Sequence, residues 1–206
     1  MTTYNTSGRN TLWLVWFLTQ LPITAFADLL EFLWPKWMYE PAGSPLHAAF
    51  RSKQWYIASF NDPIVQWTPE TSAGHDSWMG LFLFLEAAFL LPAILYGLYC
   101  FGIRRKGTSG EDELLFFVYA LEVWFTTVVC AFDVWNLDSA VWSAEIKHTL
   151  VIQFYGPYLV LRKSNVRSRS ARTLTQEAAL GAIDMGSRIL YRIRTADTLL
   201  ETKKAN

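Results

Sequence analysis

Cysteine is scarce in this sequence, which has only two in 206 residues. Cys100 and Cys130 both lie inside apolar segments, so we predict packing roles for them and neither a disulfide framework nor a bound metal ion. We expect no cofactor. The sequence also lacks an internal repeat, which disfavours a transporter built from two inverted halves.

An excess charge of either sign is absent as well, because 18 Lys and Arg balance 18 Asp and Glu. The balance is uneven along the chain, since the last 45 residues carry ten of the basic ones. Binding to nucleic acid is not needed to explain that asymmetry, because basic residues also collect on the cytosolic side of membrane proteins. We therefore expect no nucleic-acid partner.

Apolar and aromatic residues, by contrast, are abundant, at 52% and 16% of the chain. A helix needs about 20 mostly apolar residues to cross a bilayer, and four segments have this length: 11–33, 78–103, 113–135 and 141–161. The sequence therefore predicts an all-α fold, a four-helix transmembrane bundle with a lumenal loop over 34–77 and a cytosolic C-terminal tail. We divide it into a membrane domain, 1–163, and a basic tail, 164–206.

The orientation of the bundle follows from its basic residues, which favour the cytosol. Arg104, Arg105 and Lys106 follow the second span, and most of the others lie in the tail. With Arg9, fourteen Lys and Arg fall on the cytosolic side. Four remain for the lumen: Lys36, Arg51, Lys53 and Lys147.

The tail contains a predicted helix over 173–200, with apolar residues on one side and Arg188 and Arg192 a turn apart on another. Two alternatives are open: a helix lying along an anionic membrane surface, or a solvated tail. Lys203 and Lys204 stand fourth and third from the end and resemble the dilysine signal that returns membrane proteins to the endoplasmic reticulum. We therefore predict a multi-pass protein of that membrane.

Three carboxylates interrupt the predicted spans: Asp28, Glu86 and Glu122. An acid at the centre of a transmembrane helix costs about 2.5–3.5 kcal/mol on insertion scales, so such residues usually face a cavity and have a function. No basic residue lies at matching depth in any span. Two such acids can exchange protons with a substrate as general acid and base, or hold the ammonium group of a ligand.

One face of the third span is the predicted cavity wall. Tyr119, Glu122, Thr126 and Asp133 share that face at helical spacing. For an isomerase, we predict Glu86 and Glu122 as the catalytic pair, with the rings of three aromatic residues stabilising a carbocation. These aromatic residues are Tyr119, Trp124 and Tyr158.

Several motifs, in their order and helix placement, resemble the EXPERA superfamily, whose members include sigma-two-type receptors and emopamil-binding sterol isomerases. The matching segments are Leu21-Pro22-Ile23-Thr24 before Asp28, Phe60-Asn61-Asp62-Pro63-Ile64, Phe84-Leu85-Glu86 before Leu91-Pro92, and Gly156-Pro157-Tyr158-Leu159. The resemblance covers most of residues 12–161 and does not include the tail.

The resemblance to the receptor-type members implies ligand-binding roles for Asp28 and Glu86 and a loop-supporting role for Asp62. It implies a sterol-like or cationic amphiphilic ligand that enters from the lipid between helices. Glu122 instead resembles the third-helix glutamate of the sterol isomerases, which helps to stabilise a carbocation. Phe82, however, stands where those isomerases have a histidine one turn before the second-helix glutamate.

Two functions therefore stay open. One is an acid–base isomerase that shifts a double bond or cyclises a sterol- or terpenoid-like substrate through a carbocation. The other is a non-catalytic regulator or carrier that binds a sterol or cationic amphiphile. The expected partners are this small molecule and membrane lipids, and the sequence leaves a homodimer open.

Overall fold

A computed structural model describes residues 7–68, 77–156 and 177–205. These residues form helices and connecting turns, with no strand among them, which confirms the all-helical class. The first segment is α1, Ser7–Ile23, followed by a π-helical turn, Thr24–Asp28, and by α2, Leu30–Leu33. Pro22 lies inside α1. Because proline donates no backbone hydrogen bond, it favours the irregular turn that follows it.

The connecting segment folds into short helices. A 3₁₀ turn, Lys36–Met38, precedes α3, His47–Phe60, and α4, Pro63–Gln66. Asn61 ends α3 in the left-handed conformation, at φ 51°. Asp62 then caps α4, because its side chain accepts a hydrogen bond from the amide of Ile64 and a proline begins the helix.

The second and third segments are the longest apolar helices. The second contains α5, Ser77–Leu85, a π turn, Glu86–Leu90, α6, Leu91–Leu98, and a further π turn, Tyr99–Arg104. The third is α7, Gly110–Asn136, which begins with a capping box between Ser109 and Asp112. Within them, Trp78–Arg104 and Gly110–Asn136 have 27 residues each, about 40 Å of length, and are long and apolar enough to cross a membrane.

The fourth segment begins with α8, Ala144–Thr149, and continues in a π turn, Leu150–Tyr155. It packs against α7. Residues 157–161 of the predicted fourth span lie outside the described part of the chain. The described residues thus contain two helices that are long and apolar enough to cross a membrane, and the four-helix bundle stays a prediction.

The tail forms a long helix, α9, Glu177–Ala205. It packs against α7 rather than standing apart, a contact that neither alternative for the tail included. Arg188 is only 1% exposed and contacts Asp184, Asn10 and Thr108. Arg192 forms an ion pair with Glu113, with 2.6 Å between Nε and Oε2. The two arginines therefore face the bundle, where acidic and hydroxyl groups of α7 and its preceding loop meet them.

An aromatic cluster forms the core between α1, α6 with the π turn that follows it, and α7. Phe17 is fully buried, and its ring lies 5.3 Å from those of Phe116 and Tyr119, centroid to centroid. Trp13 stacks on Phe101 at 6.2 Å. Gly97 of α6 lies directly against the Phe17 ring, so α1 and α6 approach closely there.

Candidate functional site

A cavity of about 840 Å³ lies beside the aromatic cluster, between the four helical segments and the connecting segment. Its size lies within the roughly 300–1,000 Å³ typical of small-molecule pockets. The wall is mainly apolar and contains the acids Asp28, Asp62 and Glu86. The aromatic residues in it are Phe26, Trp55, Tyr56, Trp67, Phe82, Tyr119, Phe154 and Tyr155.

Asp28 and Glu86 share a local structure that the sequence did not indicate. Asp28 is the last residue of the first π turn, and Glu86 is the first residue of the second. A proline lies six residues before Asp28 and another six residues after Glu86. Single π turns inside α-helices occur often at functional sites, because they redirect side chains. Both acids therefore line the cavity from widened helix turns.

Glu86 and Glu122 are close enough for their charges to interact, and Asp28 interacts with Glu86 in the same way. One side-chain oxygen of Glu86 and both of Glu122 are buried and have no hydrogen-bond partner among the described residues. Glu86 lines the cavity, whereas Glu122 does not. The charges of the predicted pair thus interact, with only Glu86 at the cavity surface.

The α7 wall of the cavity differs in part from the predicted face. It consists of Tyr119, Val123, Thr126, Thr127 and Cys130. Tyr119 and Thr126 therefore lie where the sequence predicted, and the Tyr119 hydroxyl also accepts a hydrogen bond from Trp16 Nε1 at 3.2 Å.

The two other aromatic residues that were predicted to contact a ligand are Trp124 and Tyr158. Trp124 is 38% exposed and is not part of the cavity wall, so the structure does not support its predicted contact with a ligand. It lies one residue beyond Val123, and one step along a helix turns a side chain by about 100°. Tyr158 lies outside the described residues.

Asp62 joins the connecting segment to the fourth helical segment. Its carboxylate accepts hydrogen bonds from the hydroxyls of Tyr56, at 2.9 Å, and Tyr155, at 3.0 Å, and from the amide of Ile64. Asp62 is 1% exposed. Burial raises the pKa of this carboxyl, although the hydrogen bonds oppose the shift. The position agrees with a loop-supporting role.

Replacing Asp62 by alanine is expected to destabilise the fold by at least about 2 kcal/mol, because two partly buried tyrosine hydroxyls and a backbone amide lose their acceptor. Thermal unfolding of the detergent-solubilised protein measures this effect. Glu40→Ala changes an exposed acid of the same segment and is the control. If both variants melted at the wild-type temperature, Asp62 would not anchor the segment.

Lys53 is a cavity residue that the sequence did not single out. It lies on α3, and its Nζ is 3.3 Å from Glu31 Oε1. Its charge also interacts with that of Asp28. We expected no cation near the acids because none lies at matching depth in the spans. The connecting segment supplies one instead, and no periodicity within α3 predicts which of its residues turns towards the first span.

The described residues contain no group of three or more His, Cys, Asp or Glu side chains placed to hold a metal ion. Fold and site together define an all-helical membrane protein with an acidic, aromatic-lined cavity. The chain belongs to EXPERA, the expanded EBP superfamily, whose family model matches residues 50–162. The match includes Asp62, Glu86 and Glu122, and it confirms the family that the motifs indicated.

The chain is similar to sigma intracellular receptor 2 of two primates. It is 35% identical over 157 residues to the receptor of Macaca fascicularis, which covers 71% of this chain and 78% of the receptor. It is 35% identical over 161 residues to the receptor of Homo sapiens, with 72% and 81% covered. No solved structure matches the chain.

Proposed function

We propose that the protein binds a sterol- or terpenoid-like amphiphile in the cavity. The observation that supports this best is the combination of about 840 Å³ of volume with an apolar, aromatic wall and a few acids. Pockets of this kind hold the apolar body of a ligand and orient its polar group. Its relatives are named as receptors, which also favours ligand binding.

We further propose that the carboxyl pair isomerises the ligand. Glu86 in its protonated form donates a proton to one carbon of an alkene, which leaves a carbocation on the neighbouring carbon. Loss of a proton from the next carbon to a carboxylate then forms the shifted double bond and restores the proton count. Glu122 acts as the partner that exchanges the proton with Glu86. The wall residue Tyr119, with Tyr158 as a further candidate, stabilises the cation.

The second candidate is binding without conversion, as a regulator or carrier. The position of Glu122 favours it, because this acid does not line the cavity. The receptor names of the relatives favour it as well. Asp28 and Glu86 would then serve only to orient the polar group of the ligand.

The predicted topology completes the proposal. It has four transmembrane helices and both termini in the cytosol. The connecting segment, with Asp62, then lies on the lumenal side. The proposed compartment is the membrane of the endoplasmic reticulum.

Incubating the purified protein in lipid nanodiscs with candidate sterols and terpenoids is expected to yield products of unchanged mass and altered retention. Chromatography with mass spectrometry detects them, and empty nanodiscs are the control. Saturable binding without any product would support the second candidate. The absence of both binding and product for every sterol and terpenoid would contradict the proposed ligand class.

A further inference from the structure

The lysine on α3 has an unusual environment. Lys53 is the one buried residue of α3, and its side chain is 4% exposed. Lysine normally extends its ammonium group towards water, so full burial indicates a specific partner. The side chain lines the same cavity as Asp28 and Glu86.

The partners of Lys53 are acids of the first segment. Its Nζ lies 3.3 Å from Glu31 Oε1, and Glu31 has a side-chain exposure of 18%. Asp28, one turn earlier, interacts with the same positive charge. The helix that carries Lys53 packs against the π turn that carries Asp28. This packing therefore holds the ammonium group in an ion pair with Glu31 and within range of the charge of Asp28.

The other cavity acids differ in whether their carboxylate oxygens have hydrogen-bond partners. Asp62 accepts hydrogen bonds from two tyrosines and a backbone amide, so it is already engaged. Glu86 has one buried oxygen without a partner among the described residues. The polar group of a ligand in this cavity therefore meets a wall that contains Glu86, Asp28 and Lys53.

We propose that Lys53 is a built-in counter-ion that makes the cavity selective for uncharged ligands over amines. An ammonium group entering beside Asp28 would meet the like charge of Lys53 and would have to displace it. A hydroxyl or carbonyl group carries no such penalty, because either one accepts a hydrogen bond from the lysine and a hydroxyl can also donate one to an acid. Specificity of this kind arises from repulsion of the wrong ligand. The inference rests on the proposed ligand-binding function and narrows its ligand class.

The test compares two ligands that differ only in charge, cholesterol and 3β-aminocholest-5-ene, on wild type and Lys53→Met in nanodiscs. The methionine keeps an unbranched side chain of similar length and removes the charge. Wild type is expected to bind the sterol more tightly than its amine. In Lys53→Met the ratio of the two dissociation constants is expected to move towards the amine by at least about tenfold, as removal of a like charge predicts.

The matched control is Arg51→Met, which removes an exposed cation from the same helix and lies outside the cavity wall. It is expected to keep the wild-type ratio. The melting temperature is a second readout: that of Lys53→Met should rise more with the amine than with the sterol, because the amine replaces the lost counter-ion. Lys53→Gln serves for both measurements if the methionine variant does not fold.

A second ligand pair, octadecanol and octadecylamine, separates this inference from the proposed function. If only this pair binds and its ratio shifts in Lys53→Met, the counter-ion role stands and the sterol-like ligand is wrong. If either pair binds and its ratio is the same in wild type and variant, the counter-ion role is wrong and ligand binding stands. If neither pair binds wild type or variant, both are wrong.

Discussion

Glu86→Gln is expected to abolish conversion of the ligand, with turnover at least about 100-fold below wild type. General acid–base groups typically contribute 10²- to 10⁴-fold to rate, and glutamine keeps the shape of glutamate but cannot exchange a proton. Glu86 is the pair member that lines the cavity, so the ligand meets it directly. Any residual binding of an amine ligand is expected to fall further, because glutamine cannot become an anion. Turnover and binding are measured in membranes with the protein at matched levels.

The companion variant Glu122→Gln separates the two candidate functions. Because Glu122 interacts with Glu86 but does not line the cavity, its loss should reduce turnover and leave binding intact. A protein that only binds would keep its affinity in Glu122→Gln and show no turnover at all. Glu111→Gln, at the exposed start of α7, is the isosteric control. Wild-type turnover in both Glu86→Gln and Glu122→Gln would remove these carboxylates from the mechanism.

Much of the site was predictable because acids in apolar segments are rare and costly. Asp28 and Glu86 could be selected by that criterion alone, and the family motifs around them agreed. The rotation of α7 was harder to predict. Its apolar residues surround the whole helix, so periodicity does not determine which side faces the cavity. Glu122 lies about 60° around the helix from Tyr119, in the direction opposite to Val123. Because the cavity lies towards Val123, Glu122 is not part of its wall.

The features that the sequence did not predict depend on contacts between distant segments. Lys53 turns inward because α3 packs against the π turn of the first segment. Arg188 and Arg192 of α9 turn inward because Thr108 and Glu113 lie beside them, 79 to 80 residues away in sequence. A helical pattern identifies the apolar and polar faces of one helix. It does not show which other element packs against each face.

Gly97→Val is expected to destabilise the fold strongly, by about 3 kcal/mol or more, at the upper end of the range for overpacking. A Cβ at this position would lie 2.3–2.6 Å from three ring carbons of Phe17. That ring cannot move easily, because Phe116, Tyr119 and Phe101 surround it. Thermal unfolding in detergent measures the loss. Gly8→Ala, where an added Cβ meets nothing within 4 Å, is the control.

A second-site change tests whether the Phe17 contact is the cause. Phe17→Leu should destabilise the protein alone, yet Gly97→Ala combined with Phe17→Leu should lose less than the sum of the two single changes. If the losses of stability in the two single variants simply added up in the double variant, the contact between Phe17 and residue 97 would not be the cause of the destabilisation. Because α1 leads to Asp28 and α6 follows Glu86, this contact joins the two segments that carry these cavity acids. Gly97→Ala should therefore weaken ligand binding even at temperatures where the protein remains folded, whereas Gly8→Ala should not.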